Sequence, residues 1–299
     1  IQMRDVVIVY GGDSVENEIS AQSGQGILKN IDQSKFCASL LNIKDLKVDL
    51  IKQGTVIFIA VHGLGGEDGE TQKLLANNGI KFTGSGEDSA KLCWDKISSK
   101  ALMQKNNIPT PPHKIIRKDE KLDLKDQFFA SRESLFVKPN SNGSSFGVSK
   151  VTDFKLLDQA VEEARKFSED VIIEEAYNLA EYTVGVLKGE ALEPLEIIAN
   201  DNKGFYDYQA KYLNKNTKKV EVVDKEVKKE LQKIALKAFY QHGCQTWGRV
   251  DFVFNGKDFG VLEINTVPGF TENSLFPLAA KISGINYQEL ITRIIEDSI

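Results

Sequence analysis

The stretch Trp247–Gly269, WGRVDFVFNGKDFGVLEINTVPG, decides the fold. Two β-rich runs, Arg249 to Phe254 and Phe259 to Ile264, flank an Asn255-Gly256 turn signal and predict an antiparallel hairpin. Val250, Phe252, Phe254, Val261 and Ile264 supply an apolar side for a core. Asp251, Glu263 and Asn265 fall on strand positions that are normally apolar or solvated, and the Glu-x-Asn spacing puts the last two on one face. Asp251 joins that face only if it lies opposite Glu263. A tight two-residue turn at Gly256-Lys257 would place it opposite Leu262 instead, so a three-residue loop or a bulge near Gly256 is expected. Carboxylate and amide oxygens with no Cys or His beside them suit a hard cation, and this set fits Mg²⁺ held between protein and phosphate oxygens. The plainer alternative is a solvated hairpin face.

A chain of 299 residues is long enough for about two or three domains with a sizeable core. Its net charge of −5, with both signs interspersed, offers no electrostatic footprint for nucleic acid and points to a small-molecule partner. No apolar run reaches the ~18 residues of a membrane span, and the chain passes from Met3 into a β-like DVVIVY without a charged-then-apolar leader. Cys37, Cys93 and Cys244 are odd in number and scattered, which argues against a disulfide framework or a zinc site and fits a reducing cytoplasm.

From the N-terminus, Val6 to Tyr10 reads as a buried parallel strand ending at Gly11-Gly12, followed by Ser14 to Glu18 and a helical pattern through Leu28. Val56 to Val61 is a second such strand, ending in His62 to Gly69. Ligands of open parallel sheets collect at strand carboxyl ends, so Glu16 and His62 are site candidates. Their plainer readings are a helix-N-terminal carboxylate and a structural histidine. Leu92 to Asn106 predicts one helix, ending before the Pro109 to Pro112 breaker. Leu135 to Pro139 is a short strand carrying Lys138, and Asn140 to Lys150 is a Ser/Gly loop whose N–H groups can wrap phosphate, or else a solvated hairpin tip. Phe154 to Phe167 is helical, capped by Thr152 or Asp153. Val171 to Tyr177 is an apolar strand opening into a linker, a setting for a base slot, with Glu181 beyond it placed to accept from ribose hydroxyls. Strands at Tyr182 to Leu187 and Leu192 to Ile198, an Asp224-capped helix closed by Gly243, and two terminal helices complete the chain.

Read together, a strand-ending lysine, a Ser/Gly loop, an apolar-Glu-Glu linker and a late Asp…Glu-x-Asn cluster resemble an ATP-grasp carboxylate-amine ligase. The finer motifs GGDSVENEIS (11–20), HGLGGEDG (62–69), FTGSG (82–86), Asp95-Lys96, KPNSNGSSFGVSK (138–150), FYDYQAKY (205–212), WGRVDF (247–252) and LEINTVPGFTENS (262–274) are similar to those of D-alanine:D-alanine ligases, in order over nearly the whole chain. The resemblance implies an α/β fold: an N-terminal open parallel-sheet domain (1–90) followed by an ATP-grasp pair of α+β domains, 91–174 with a phosphate lid loop and 175–299 with the metal cluster and a lid.

Carried over residue by residue, the resemblance implies Lys96 and Lys138 on the phosphates and adenine, Ser144 and Ser145 as the phosphate lid, Glu174 with the Glu175 and Tyr177 backbone at the adenine, and Glu181 at the ribose. Asp251, Glu263 and Asn265 would hold two Mg²⁺, with Mn²⁺ able to stand in. Arg249 and the Gly269 N–H would hold a tetrahedral oxyanion. Glu16 would pair with the ammonium of the first D-alanine, with His62 near its carboxylate side; Ser144 and Tyr212 would link to Glu16, and Lys211, Ser274 and Leu275 would line the second D-alanine. Tyr212 favours an amine nucleophile over D-lactate. After it the family often continues through a proline-containing segment, whereas Leu213 to Val223 here reads LNKNTKKVEVV. The implied reaction is ATP-dependent ligation for peptidoglycan precursors in the cytoplasm, by a homodimer. The alternatives are an ATP-grasp ligase for another carboxylate and amine, a D-alanine:D-lactate ligase, and a nonenzymatic nucleotide-binding regulator.

Overall fold

The computed structural model describes residues 3–141, 143, 146–198 and 217–299. Their strands form three sheets. The first is parallel throughout, in the order β2 (Phe36–Asn42), β1 (Arg4–Tyr10), β3 (Val56–Ile59), β4 (Lys81–Phe82). Its central strands are apolar on both sides because both faces are covered. Val6, Ile8 and all of β3 are fully buried, with α1 (Asn17–Asn30) and α2 (Glu70–Asn77) in the connections. β3 stops at Ile59, two residues earlier than expected. Ala60 N–H still donates to the Val9 carbonyl, and the chain then bends, still buried, into His62.

The expected helix over Leu92–Asn106 is two helices, α3 (Glu87–Trp94) and α4 (Lys96–Lys105). Asp95 breaks it: its backbone is extended, and its carboxylate caps α4 by accepting from Ser98 N–H at 2.7 Å. Lys96 thereby becomes the first residue of a helix rather than a mid-helix residue.

The second sheet is antiparallel, in the order β5 (His113–Ile116), β8 (Val171–Glu175), β6 (Leu135–Pro139), β7 (Ser149–Val151), with the short α5 (Gln127–Ala130) between β5 and β6. Leu135, Val137, Val171 and Ile173 form a core with Leu157, Val161 and Ala164 of α6 (Leu157–Arg165). By strand alternation Phe136, Lys138, Ile172 and Glu174 look the other way. The helix expected over Phe154–Phe167 opens as a 3₁₀ turn capped by Asp153 and is α-helical only over Leu157–Arg165.

The third sheet is also antiparallel: β12 (Lys218–Glu221), β11 (Leu195–Ile198), β9 (Ala180–Leu187), β13 (Trp247–Phe254), β14 (Phe259–Asn265), with β10 (Glu190–Ala191) beside β9. One face packs Val184, Val186, Val250, Phe252, Val261 and Ile264 against Leu231, Ala235 and Phe239 of α7 (Lys225–Gln241), which Asp224 caps. The other face carries the polar residues. Trp247 starts β13 on that second face. Together with Phe270 it meets Phe58 of β3, and it also meets Phe276 of α8 (Leu275–Ile282), with ring centroids 5.1–6.1 Å apart. α8 and the final α9 (Tyr287–Asp297) share the first sheet's core. Among the described residues no helix is long and apolar enough to cross a membrane.

The Pro109–Pro112 segment lies along β14 like a short extra strand. Val261 N–H donates to the Pro109 carbonyl at 2.8 Å, and Thr110 Oγ1 donates to the Val261 carbonyl at 2.9 Å. Gly260 makes this approach feasible, since a Cβ there would lie 2.6 Å from Pro111 Cδ. Gly260→Ala is therefore expected to destabilise the fold by about 1–3 kcal/mol through overpacking, read as a lower urea midpoint at unchanged slope.

Candidate active site between the sheets

The hairpin pairs Asp251 directly with Glu263, and Arg249 with Asn265, so the expected oxygen cluster shares one face. The route to that register differs from the expectation. The turn is tight: Phe254 pairs with Phe259, and Asn255 Oδ1 accepts from Lys257 and Asp258 N–H. The irregularity lies further along, between Asp251 and Phe252, where Phe252 pairs with Val261 and Leu262 is the extra residue. This bulge, not one near Gly256, turns Glu263 onto the face of Asp251.

Asp251 is met by donors on every side. Arg249 is bidentate, Nε to Oδ1 and Nη2 to Oδ2, both at 2.8 Å. Thr183 Oγ1 on neighbouring β9 donates to Oδ1 at 2.6 Å, and Asn265 Nδ2 to Oδ2 at 2.9 Å. Four donors use the four lone-pair sites of a carboxylate. Glu181, two residues before Thr183, lies on the same face of β9. Glu263 Oε2 lies 3.4 Å from Lys96 Nζ.

Among the described residues no three His, Cys, Asp or Glu side chains group closely enough to hold a metal ion. Two carboxylates and one amide still fit a hard cation on their donor chemistry. If the Asn265 amide presents its oxygen in place of its NH₂, it gains a ligand atom and releases one acceptor site on Asp251 with no change of shape. Ligand oxygens would complete the coordination.

Lys96 is anchored through its backbone. Buried Asn140, at the end of β6, accepts at Oδ1 from Ile97 N–H at 2.8 Å and donates to Asp95 Oδ2 at 2.8 Å, tying the start of α4 to the second sheet. One turn on, Lys100 is wholly buried and pairs with Glu174 Oε2, while Lys138 Nζ reaches Glu174 Oε1 at 2.5 Å. Burial on its own would push the Glu174 carboxyl up, but the two ammonium groups outweigh it and hold it down at about 2. Burial pushes the Lys100 ammonium below its usual value. Glu175 N–H is used by the Pro112 carbonyl and its carboxylate by Arg132 at 3.0 Å. Tyr177 follows, half-buried, past the strand end.

The first sheet supplies a third wall. Glu16 is buried at the start of α1, but its side chain does not cap that helix. Its carboxylate lies against Gly63, where a Cβ would come within 2.7 Å of Oε2 and where φ is +72°, and near Gly143 of the Ser/Gly loop. His62 is buried, which pushes its imidazole below the usual value and keeps it neutral. Nδ1 lies 2.9 Å from the Val267 carbonyl, so that nitrogen carries the proton, and Nε2 accepts from Ser23 Oγ at 2.9 Å. Ser23 Oγ accepts in turn from Phe270 N–H at 3.2 Å. Both ring nitrogens thus hold the 267–270 loop, which carries Gly269. Glu67 reinforces the seam by accepting from Gly63 N–H at 2.8 Å and Val267 N–H at 3.3 Å. Burial, then the Glu16 charge, push its carboxyl up to about 8.

Ser274 precedes α8, and its hydroxyl is engaged by Thr271 at 2.7 Å. Leu275 buries its side chain, so what it offers a ligand is its N–H at the helix start. Ser144, Ser145, Lys211 and Tyr212 lie outside the described residues. Sequence reasoning missed Lys100, Asn140, Thr183 and Glu67. Only Lys100 had a usable signal, its four-residue spacing from Lys96 on a helix.

Lys96 against Glu263, and Lys100 through Thr110 to Val261, join the second and third sheets here, and His62 and Glu67 join the first through Val267. Lysines suit phosphate oxygens, the oxygen cluster a cation, and Arg249 a developing oxyanion. The sequence profile described as "D-ala D-ala ligase C-terminus" matches residues 102–296. D-alanine–D-alanine ligases of Methylacidiphilum infernorum and Glaesserella parasuis are 36% and 34% identical to this chain. The alignments cover 99% and 97% of it, and 95% and 97% of those proteins. The crystal structure of the Bacillus anthracis D-alanine–D-alanine ligase complexed with ATP superimposes with a TM-score of 0.86 at 29% identity, over 99% of this chain and 97% of that one. A D-Ala:D-Ser ligase from Enterococcus faecalis gives a TM-score of 0.88 at 27% identity, over the whole of both chains. The chain belongs to the D-alanine–D-alanine ligase family.

Proposed function

We propose that this chain joins two D-alanine molecules to D-alanyl-D-alanine at the expense of ATP, as a cytoplasmic dimer supplying cell-wall precursors, from three units spanning 1–90, 91–174 and 175–299. The observation that carries the reading is the shared face of Arg249, Asp251, Glu263 and Asn265, with Lys96 against Glu263 and Lys138 beside Glu174.

In this reading Lys138 and Lys96 take the ATP phosphates, Glu174 and the 175–177 backbone the adenine, and Glu181 the ribose. The carboxylate of the first D-alanine attacks the γ-phosphoryl group, the bond to the ADP oxygen breaks, and an acyl phosphate forms. The amine of the second D-alanine attacks that acyl carbon and sheds a proton, and inorganic phosphate leaves. Glu16, set by the close packing of Gly63, pairs with the first ammonium and so selects handedness. Asp251 engages Nε and Nη2 of Arg249 and so fixes the guanidinium, which together with the Gly269 N–H would hold the oxyanion. His62 holds that loop by its two hydrogen bonds. Ser274 and Leu275 meet the second carboxylate at the start of α8. Asp251, Glu263 and Asn265 would hold two Mg²⁺, or Mn²⁺, which supply charge neutralisation at the phosphoryl oxygens. Ser144, Ser145 and Tyr212 keep the lid roles, and Lys211 the place beside the second D-alanine, that the family likeness implies.

Phosphate release from Mg-ATP is expected with D-alanine and not with L-alanine or without amino acid, with D-alanyl-D-alanine as the product by mass. D-Serine and D-lactate belong in the panel because a D-Ala:D-Ser ligase shares the fold. ATP binding without turnover on D-alanine would overturn the reading. Chelation with EDTA is expected to abolish turnover, and added Mg²⁺ or Mn²⁺ to restore it.

Arg249→Ala is expected to lower kcat by about 10²–10³-fold, the cost of losing an oxyanion donor. Glu263→Gln tests the cation cluster on the same assay and is expected to raise the Mg²⁺ concentration needed for half-maximal rate.

A further inference from the structure

Lys100 is a charged side chain almost wholly out of water, 1% exposed, and the reaction above does not use it. It lies one helical turn beyond Lys96 on α4. Its ammonium pairs with Glu174 Oε2 and donates to Thr110 Oγ1 at 2.7 Å. Thr110 Oγ1 donates onward to the carbonyl of Val261, which stands just before the bulge residue Leu262 and Glu263. Glu174 also receives Lys138 through its other oxygen, so one buried carboxylate has two cations, one more than neutralisation requires. When Lys138 turns to phosphate oxygens, Lys100 is the cation that stays. A carboxylate so held only accepts hydrogen bonds. A buried carboxyl without its cation favours the protonated form, which donates as well. A pure acceptor suits the 6-amino group of adenine and opposes the 6-oxo group of guanine.

We infer that Lys100 is a positioning residue: it fixes Glu174 as an acceptor for the nucleotide base and, through Thr110 and Val261, holds the base site in register with the hairpin carrying Glu263, so that it selects 6-aminopurine over 6-oxopurine nucleotides. The inference rests on the reading that Glu174 meets the base.

Steady-state kinetics of Lys100→Met with ATP and with GTP, at saturating D-alanine, test it. KM for ATP is expected to rise about tenfold or more with kcat within about threefold, and the ATP-over-GTP ratio of kcat/KM to fall at least about tenfold. Lys100→Arg is expected to restore most of the ratio. If the methionine variant does not fold, Lys100→Gln, which lacks the charge but keeps a hydrogen-bonding end, reads the same ratio. A folded, charge-free variant with an unchanged ratio overturns the inference, whatever happens to kcat. Glu174→Gln separates the two readings. If it leaves the ratio untouched, the base contact falls and Lys100's role with it; if it shifts the ratio while Lys100→Met does not, only Lys100's role falls.

Discussion

A carboxylate removed from water must be met by donors, and the meeting of the second and third sheets is organised by that requirement. Asp251 is met by Arg249, Thr183 and Asn265, Glu263 by Lys96, and Glu174 by Lys100 and Lys138. Ion pairs this buried are weak arguments for stability, because desolvation offsets much of the Coulomb attraction. Their value here is preorganisation. The charges are already aimed when a ligand arrives, so little reorganisation is left for the reaction itself. An arriving phosphate or cation competes for partners already in place, and each pair tunes how readily its members are given up. Asp251, with its acceptor sites filled, yields a site most cheaply where Asn265 turns its amide.

The bulge at Leu262 shows how local backbone geometry serves this requirement. With an unbroken ladder from the tight turn at Asn255, Asp251 would face Leu262, and Glu263 would lie on the side packed against α7. One extra residue moves Glu263 and Asn265 onto the face of Asp251 while Val261 remains in the core. The Pro109–Thr110 segment holds the N–H and carbonyl of Val261 at the edge of that irregularity. The register that makes the cluster is therefore fixed by both the hairpin and the segment entering the second sheet.

The hairpin, its shared face and most strands were legible because acidic and amide residues interrupt an otherwise apolar β pattern, a signal carried within a few residues. The place of the bulge was not, since Val261 and Leu262 are both apolar and turn chemistry cannot say which is the extra residue. The single helix over Leu92–Asn106 failed for a related reason. Asp95 is tolerable within a helix, and its preference for capping is reinforced by Asn140, 45 residues away. Lys100 sits at a spacing that marks it, but lysines are ordinarily at the surface, and only the fold reveals that this one is buried. Glu16 does stand at the N-terminus of its helix, as its plainer reading has it, but its side chain makes no capping hydrogen bond and lies against Gly63.

His62 shows how the first sheet takes part without bringing a charge. Burial favours the neutral ring, in which Nδ1 donates to Val267 and Nε2 accepts from Ser23, so the Val267–His62–Ser23–Phe270 chain needs no charge on the imidazole. That chain fixes the loop between β14 and α8 from the carboxyl end of β3, while Trp247, Phe58, Phe270 and Phe276 fix it from the apolar side. Gly269 is thus held between a polar and an aromatic clamp, one residue from Phe270, and its N–H has little freedom to miss a target. A loop held only by its own strand and helix would swing with both. This one is tied to a sheet built from the opposite end of the chain, so the position of the Gly269 N–H depends on how the first sheet packs against the third.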